Sequence, residues 1–381
     1  MKILVIAHNF SLGGAATACK RLLEAYKNHE IQVVSLSVKE STSSNWLPLE
    51  IRRAYSGLLS KLDIYICKFL NNGSEHWQSS GLVGSLTARN IKRIKPAVVN
   101  IHWIGHATIS IRQLKKLDFP VIITMHDEWW LNAINHYDTH SEFHPRFTLK
   151  NWIISLIINQ KMSFLNQPNV KIVSPSSELK SRLKEYLPAK KNQVYVIPNP
   201  ISSTAFCPLQ ESKNPNRVLL YAGGTQDPRK GYDLLISTLN SMNEKCEVLV
   251  LGKKGTETVG IRKQITITGL EWINSEKEMN QIYCKSSMTI VPSRQEAFGQ
   301  VASESVMAGT PVTSFEVGGL RDIVQNGLNG YLVKGFDTLK MAKLLDNFLR
   351  NNHFDSRIIS KDAKMRFSEK VVIESYLAIL Q

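Results

Sequence analysis

Cysteine is sparse and unpatterned in this chain. Cys19, Cys67, Cys207, Cys246 and Cys284 include no CxxC pair, which argues against a zinc ribbon or a thioredoxin-like redox centre. An odd set without a framework fits a reducing compartment. Long apolar runs are missing as well. The stretch Trp152–Ile158 is interrupted by Ser155 and falls far short of the roughly 20 residues that span a bilayer. Met1-Lys2-Ile3-Leu4-Val5-Ile6 runs straight into a buried-strand pattern with no charged n-region, so no signal peptide is expected. The expectation is a soluble cytoplasmic protein, at most peripheral on the inner face of the membrane. Gly-x-Gly-x-x-Gly is absent, since Gly13-Gly14 leads into Ala15-Ala16, and this argues against an NAD-dependent enzyme. No helix-turn-helix, RRM-like or zinc-finger pattern supports a nucleic-acid binder.

What is present is ordinary globular composition, 43% apolar and 21% charged, over 381 residues, a length that suits two domains. The net charge of +15 is uneven. Residues 1–200 hold 25 Lys+Arg against 13 Asp+Glu, a balance of +12, and the remaining 22 against 19 leave +3. A basic half favours an anionic partner, such as a membrane face or a phosphorylated lipid, or simply confers solubility.

Strand and helix patterns alternate. Ile3–Ala7 reads as a strand covered on both faces, Ser11–Gly14 as a turn, Ala15–Tyr26 as a helix and Ile31–Leu36 as a second strand. Ala97–Ile101, Val121–Thr124 and Lys171–Ser174 continue the series. Ile197-Pro198-Asn199-Pro200 through Asn214-Pro215, with four prolines, reads as a linker. A second alternation follows: strands Val218–Ala222, Val248–Leu251, Ile265–Thr268, Met288–Val291 and Pro311–Phe315, with helices Tyr232–Leu239, Ser275–Cys284 and one ending near Ala308. The predicted class is α/β, with two doubly wound, Rossmann-like units whose ligands belong at the carboxyl ends of strands.

The richest segment is Val291-Pro292-Ser293-Arg294-Gln295-Glu296-Ala297-Phe298-Gly299-Gln300-Val301-Ala302-Ser303-Glu304. A strand ends at Pro292, a loop carries Glu296, and a helix is predicted from about Phe298, with Glu304 two turns along it. Amides at a helix start can hold a phosphate, and two flanking carboxylates can accept sugar hydroxyls. A helix merely capped by acidic residues gives the same pattern.

Glu-x7-Glu within Pro-Ser-x-x-Glu-x-Phe-Gly…Glu-Ser-x-Met-Ala-Gly-Thr-Pro-Val resembles the signature of retaining glycosyltransferases of family 4, which have the GT-B fold. Gly13-Gly14, Thr124-Met125-His126-Asp127, Ile197-Pro198-Asn199-Pro200-Ile201…Phe206, Pro228-Arg229-Lys230-Gly231 and Gly318-Gly319…Gly327…Gly330 match in the family's order. The resemblance implies two domains facing one another across a cleft, an acceptor-side domain 1–198 and a donor-binding domain 199–365. A C-terminal helix in 366–381 could pack back on the first. It also implies transfer of a sugar from a nucleotide-sugar, which is a substrate and not a cofactor, to a saccharide or lipid-linked acceptor.

By the same resemblance Glu296 holds hydroxyls of the transferred sugar, Glu304 the ribose, and Lys230 the donor phosphates. Phe298, Gly299 and Gln300 touch sugar or phosphate, and His126 lies against the sugar. Gly13 and Gly14 let backbone approach the diphosphate, and Gly269 falls in the base-binding loop. The family often carries an arginine where this chain has Gly224; Arg229 or Arg294 could substitute. Leaving-diphosphate charge would be received by Lys230 and helix-start amides without a divalent metal, and no Asp-x-Asp argues for one. The implied outcome is retention, with attack from the leaving-group face and the phosphate taking the acceptor's proton. Bacterial surface polysaccharide or glycolipid synthesis is the expected setting. An epimerase or phosphorylase on the same scaffold remains an alternative, as does a basic nucleic-acid binder.

Three further features stay open at this stage. His136, His140 and His144 are spaced by four, but Pro145 and polar neighbours suggest a loop instead of a metal-binding helix. His102 and His106 follow another strand and suit either the acceptor side or packing. From Arg52-Arg53 to Phe69, Leu58, Leu59, Leu62, Tyr65, Ile66 and Phe69 recur at helical spacing with Lys61 and Lys68, as in a helix lying on an anionic membrane or packed on a core.

Overall fold

Two parallel sheets form where the apolar runs predict them. The computed structural model describes residues 1–11, 13–38, 49–71, 77–137, 148–209, 217–252, 255–257, 264–351 and 353–380. His140, His144, Pro145 and Asn214-Pro215 lie outside the described residues. The chain divides into two units, Met1–Ile197 and Pro198–Gln381.

The first unit runs β1 (Lys2–Ile6), α1 (Gly14–Asn28), β2 (Gln32–Leu36), α2 (Leu49–Leu70), α3 (Ala88–Ile94), β3 (Val98–Ile101), α4 (Ile111–Leu114), β4 (Val121–Thr124), α5 (Leu149–Leu165), β5 (Val170–Ser174), α6 (Ser177–Tyr186) and β6 (Val194–Val196). Its strands are all parallel in the order β2-β1-β3-β4-β5-β6. Central β3 and β4 are buried throughout, as Val-Val-Asn-Ile and Val-Ile-Ile-Thr require when helices cover both faces. Side-chain caps start the helices: Thr87 and Asn90 form a reciprocal capping box at α3, and Thr148 and Ser176 accept from the first turns of α5 and α6. Strand order reverses between β1 and β3, which opens a crevice beyond their carboxyl ends.

The second unit runs β7 (Val218–Tyr221), α7 (Tyr232–Ser241), β8 (Cys246–Leu251), β9 (Gly255–Glu257), β10 (Ile265–Leu270), α8 (Glu276–Lys285), β11 (Met288–Val291), α9 (Gln300–Met307), β12 (Val312–Phe315), α10 (Leu320–Ile323), β13 (Gly330–Val333), α11 (Thr338–Arg350), α12 (Ser356–Phe367) and α13 (Glu369–Ala378). The order is β13-β12-β11-β7-β8-β10-β9, parallel except for edge strand β9. Leu219 and Tyr221 pack into one core and Leu220 and Ala222 into another, the two-residue period of a strand between two layers. Here the order reverses between β7 and β11. Helix α13 belongs to this unit: Ile201 bridges Ser368, and the Ser203 amide donates to Glu369 at 2.9 Å. Among the described residues no helix is long and apolar enough to cross a membrane.

Candidate active site

The reversal point of the second sheet gathers the charged residues singled out above. After β7 the chain turns at Gly223-Gly224, and Asp227 caps a short 3-10 turn, Pro228–Lys230, before α7. After β11 it enters Pro292–Gly299. The Arg294 amide donates to the Arg229 carbonyl at 2.7 Å, joining the two loops. Lys230 Nζ meets Glu296 Oε1 at 2.5 Å, and Ser293 Oγ donates to the same oxygen at 3.0 Å. Two glycines fix the carboxylate's backbone from behind. A Cβ on Gly318, at φ +48, would lie 1.7 Å from the Glu296 carbonyl oxygen, and one on Gly319 would lie 2.2 Å from that of Phe298. No larger residue fits there without moving Glu296.

Helix α9 begins at Gln300, two residues later than expected, so Glu304 sits little more than one turn along it. Gly299, at φ +114, precedes a first turn with no side-chain cap. That arrangement suits an anion. Glu304 is 9% exposed and accepts from Tyr283 Oη at 3.1 Å and from Gln300 Nε2 at 3.4 Å. The Phe298 ring is buried against Phe367, leaving only its backbone for a ligand. Neither candidate for the missing arginine stands alone: Arg229 pairs with Asp227 at 2.6 Å and Arg294 with Asp233 at 2.6 Å. Instead the indole of Trp272 lies over this spot, with ring atoms 3.7 Å from a Cβ on Gly224 and 3.1 Å from one on Gly252. Gly269 is not in a loop. It pairs with Val250 and Gly255 inside β10, and the loop begins after Leu270.

In the first unit His126 lies just past β4, and its Nε2 meets His102 Nδ1 at 2.9 Å. Ring centroids 5.1 Å apart with planes 25° apart fit two imidazoles joined edge to edge by one proton. His102 Nε2 is buried with no partner among the described residues. An orphan lone pair costs less than an orphan N–H. By this satisfaction argument His102 donates through Nδ1, and His126 keeps Nδ1–H to offer a ligand. Burial holds His102 well below the ordinary imidazole range and lowers His126 to about 4, so both are neutral near pH 7.

The neighbouring Asp127 takes a different part. Burial raises its carboxyl, but His136 at 2.6 Å and the Trp129 amide outweigh this and hold it below the carboxylate range. Trp103 Nε1 donates to Asp127 at 3.0 Å. His136, expected in a histidine series, is thus tied into the loop's scaffold. Buried Lys161 donates to the carbonyls of Trp129, Asn132 and Ala133 at 2.7, 2.9 and 3.0 Å, pinning the same loop. Gly13, at φ +90, precedes α1, and a Cβ there or on Gly14 would meet nothing within 4 Å. Sequence reasoning missed Ser293, Tyr283 and Trp272, whose roles depend on strand ends meeting in space. Among the described residues no cluster of three potential metal ligands occurs.

The pattern that defines Glycosyltransferase Family 4 matches residues 12–204, half of the chain, and that of Glycosyl transferases group 1 matches residues 208–365. The chain belongs to glycosyltransferase family 4. It is 30% identical over 187 residues to the D-inositol 3-phosphate glycosyltransferase of Xylanimonas cellulosilytica, a match covering 45% of each protein. The chain therefore spans under half the length of that curated relative. Among solved structures, this family 4 member resembles the lipopolysaccharide outer core galactosyltransferase WaaB in its apo form (TM-score 0.64, 15% identity, covering 100% of this chain and 99% of that one). It also resembles Anabaena HepE in complex with UDP-glucose (TM-score 0.62, 14% identity, covering 100% and 99%). These likenesses establish the GT-B fold.

Proposed function

We propose that the protein transfers a hexose from a nucleoside-diphosphate donor to a saccharide or lipid-linked saccharide, with retention at the anomeric carbon. The observation that carries this reading is the Lys230–Glu296 pair at the reversal point of the second sheet, beside the uncapped start of α9. Lys230 and the first-turn amides neutralise the diphosphate as its bond to the sugar breaks. Glu296, braced by Ser293, holds sugar hydroxyls, and Glu304, braced by Tyr283, holds those of the ribose. In the first unit, neutral His126 keeps an Nδ1–H that can donate to a ligand hydroxyl. The acceptor attacks from the leaving-group face, and its proton passes to the departing phosphate, so no metal-bound base is invoked. The solved relatives with UDP-glucose and in lipopolysaccharide synthesis support a UDP-hexose and a surface glycan. The decisive experiment is a thermal-shift panel of UDP-, GDP- and ADP-hexoses followed by NMR of the product's anomeric proton. Stabilisation by none of them, or an inverted product, overturns the reading.

We also propose that α2 rests on anionic lipid. Tyr55, Leu58, Leu62, Tyr65 and Phe69 form an exposed stripe at helical spacing, Lys61 and Lys68 are exposed with it, and Asp63, Cys67 and Leu70 face inward. On α5, which packs against α2, Leu149 and Trp152 are exposed as well. Flotation with phosphatidylglycerol vesicles at low and high salt tests it, and absence of binding at low salt removes it.

A further inference from the structure

The carboxyl ends of β1 and β3 carry a second group of rings that the donor chemistry leaves unused. Trp77 is 64% exposed, and its ring centroid lies 6.2 Å from Trp103 and 5.9 Å from His106. Trp103 and His106 are 5.3 Å apart. Their planes meet at 71°, 55° and 65°, so the rings make a cup and not a parallel slot. His8, at the end of β1, backs both inner rings at 5.6 and 5.4 Å.

The loop that presents these rings is strained and braced. His106 and Ala107 are consecutive non-glycine residues at φ +52 and +57. Ser79 Oγ accepts from the His106 amide at 3.1 Å, and Ser60 Oγ donates to its carbonyl at 2.9 Å. Thr108 Oγ1 donates to Gly105 O at 2.8 Å and meets His8 Nδ1 at 2.8 Å. Left-handed backbone at two such residues in a row persists only where its surroundings enforce it, and observed strain of this kind clusters at ligand sites. An indole left open to water at a sheet's reversal point adds a second cost that folding alone does not explain.

We infer that Trp77, Trp103 and His106 form the platform on which the acceptor's pyranose ring stacks. The inference rests on the hexosyltransferase reading and names the chemistry of its acceptor. A pyranose is puckered, apolar on its C–H face and polar at its rim, and it matches angled indoles flanked by an imidazole. A flat nucleobase calls for parallel rings. A lipid surface would engage Trp77 without involving the half-buried Trp103 and His106.

The test uses the full chain labelled with 5-fluorotryptophan, the Trp77 and Trp103 signals being assigned by their loss in W77F and W103F. Methyl glucopyranoside, galactopyranoside and mannopyranoside are titrated, with uridine and phosphatidylglycerol vesicles as competing probes. At least one glycoside should move both signals saturably in the millimolar range. In parallel, W77A should retain hydrolysis of the nucleotide-hexose by water while transfer to that glycoside falls about tenfold or more. Signals moved by uridine or vesicles and by no glycoside overturn the platform, as does unchanged transfer in W77A. The two failures separate: a wild-type chain that consumes no nucleotide-hexose removes the parent reading, whereas one that consumes it without glycoside-induced shifts removes only the platform.

Discussion

The two units share a layered sheet and a reversal point but build their sites from opposite materials. In the second unit the backbone turns at glycines: Gly224, Gly231, Gly252, Gly299 and Gly318 all have positive φ around the Lys230–Glu296 pair. In the first unit, all four non-glycine residues with positive φ among the described residues are found, and two of them, His106 and Ala107, present the ring cluster. One site is charged and relieved by missing side chains. The other is aromatic and held under strain. On the proposed reading, fixed cations and amides answer phosphate charge in the one, and rings answer a sugar face in the other.

Removing charge from the second unit should have the largest effect. Lys230→Ala is expected to lower kcat about a hundredfold or more, as for loss of one oxyanion donor; normal turnover in a folded sample would remove Lys230 from the mechanism. Next, Gly318→Ala forces a methyl into the Glu296 carbonyl and should cost about 2–3 kcal/mol together with most of the activity. Urea unfolding and donor turnover measure the two losses.

The neutral histidines of the first unit give a pH signature. Folded His126 titrates at about 4 against an ordinary 6.5, so below pH 6.5 the unfolded chain binds protons that the folded one refuses. Stability should therefore fall as pH drops from 6.5 to 4, by about 2 kcal/mol for His126, reduced somewhat by its partial exposure. His126→Gln should flatten that slope in urea melts followed at several pH values. The smallest effect has the opposite sign to Gly318→Ala: Ala107→Gly should stabilise the first unit by about 0.5–1 kcal/mol, because the strain there is real and glycine relieves it. A loss of stability instead would show that the buried methyl outweighs the strain.

Much of the second unit was legible in the sequence because its site is punctuated. Pro292, Gly299, Gly309 and Pro311 mark where strand, loop and helix change, and Met288–Val291 is a strand with the expected ends. The late start of α9 follows from Gly299, whose φ of +114 no helix tolerates. Gly269 lies in the strand and not in a loop because β10 continues two residues beyond its alternating Ile-Thr-Ile-Thr, held by backbone pairing to β8 that leaves no side-chain trace. Strand β6 has only three residues, and β13 opens on Gly330 and is half-buried at its centre, so neither shows a continuous buried apolar run. In the first unit His126 could be read from its place at a strand end. His102 and His106 could be read the same way, as residues that follow a strand, but the contacts of His102 with His126 and of His106 with Trp77 and Trp103 could not, because these partners come together only when the sheet closes.

Trp272 has a practical consequence. Of the seven tryptophans, Trp46, Trp77, Trp103, Trp129, Trp130 and Trp152 precede residue 198, so Trp272 is the lone indole of the second unit. Lying across Gly224 and Gly252, it is a native optical reporter for that half of the molecule. Replacing the other six would leave a single emission that reports on the surroundings of Gly224 and Gly252 alone.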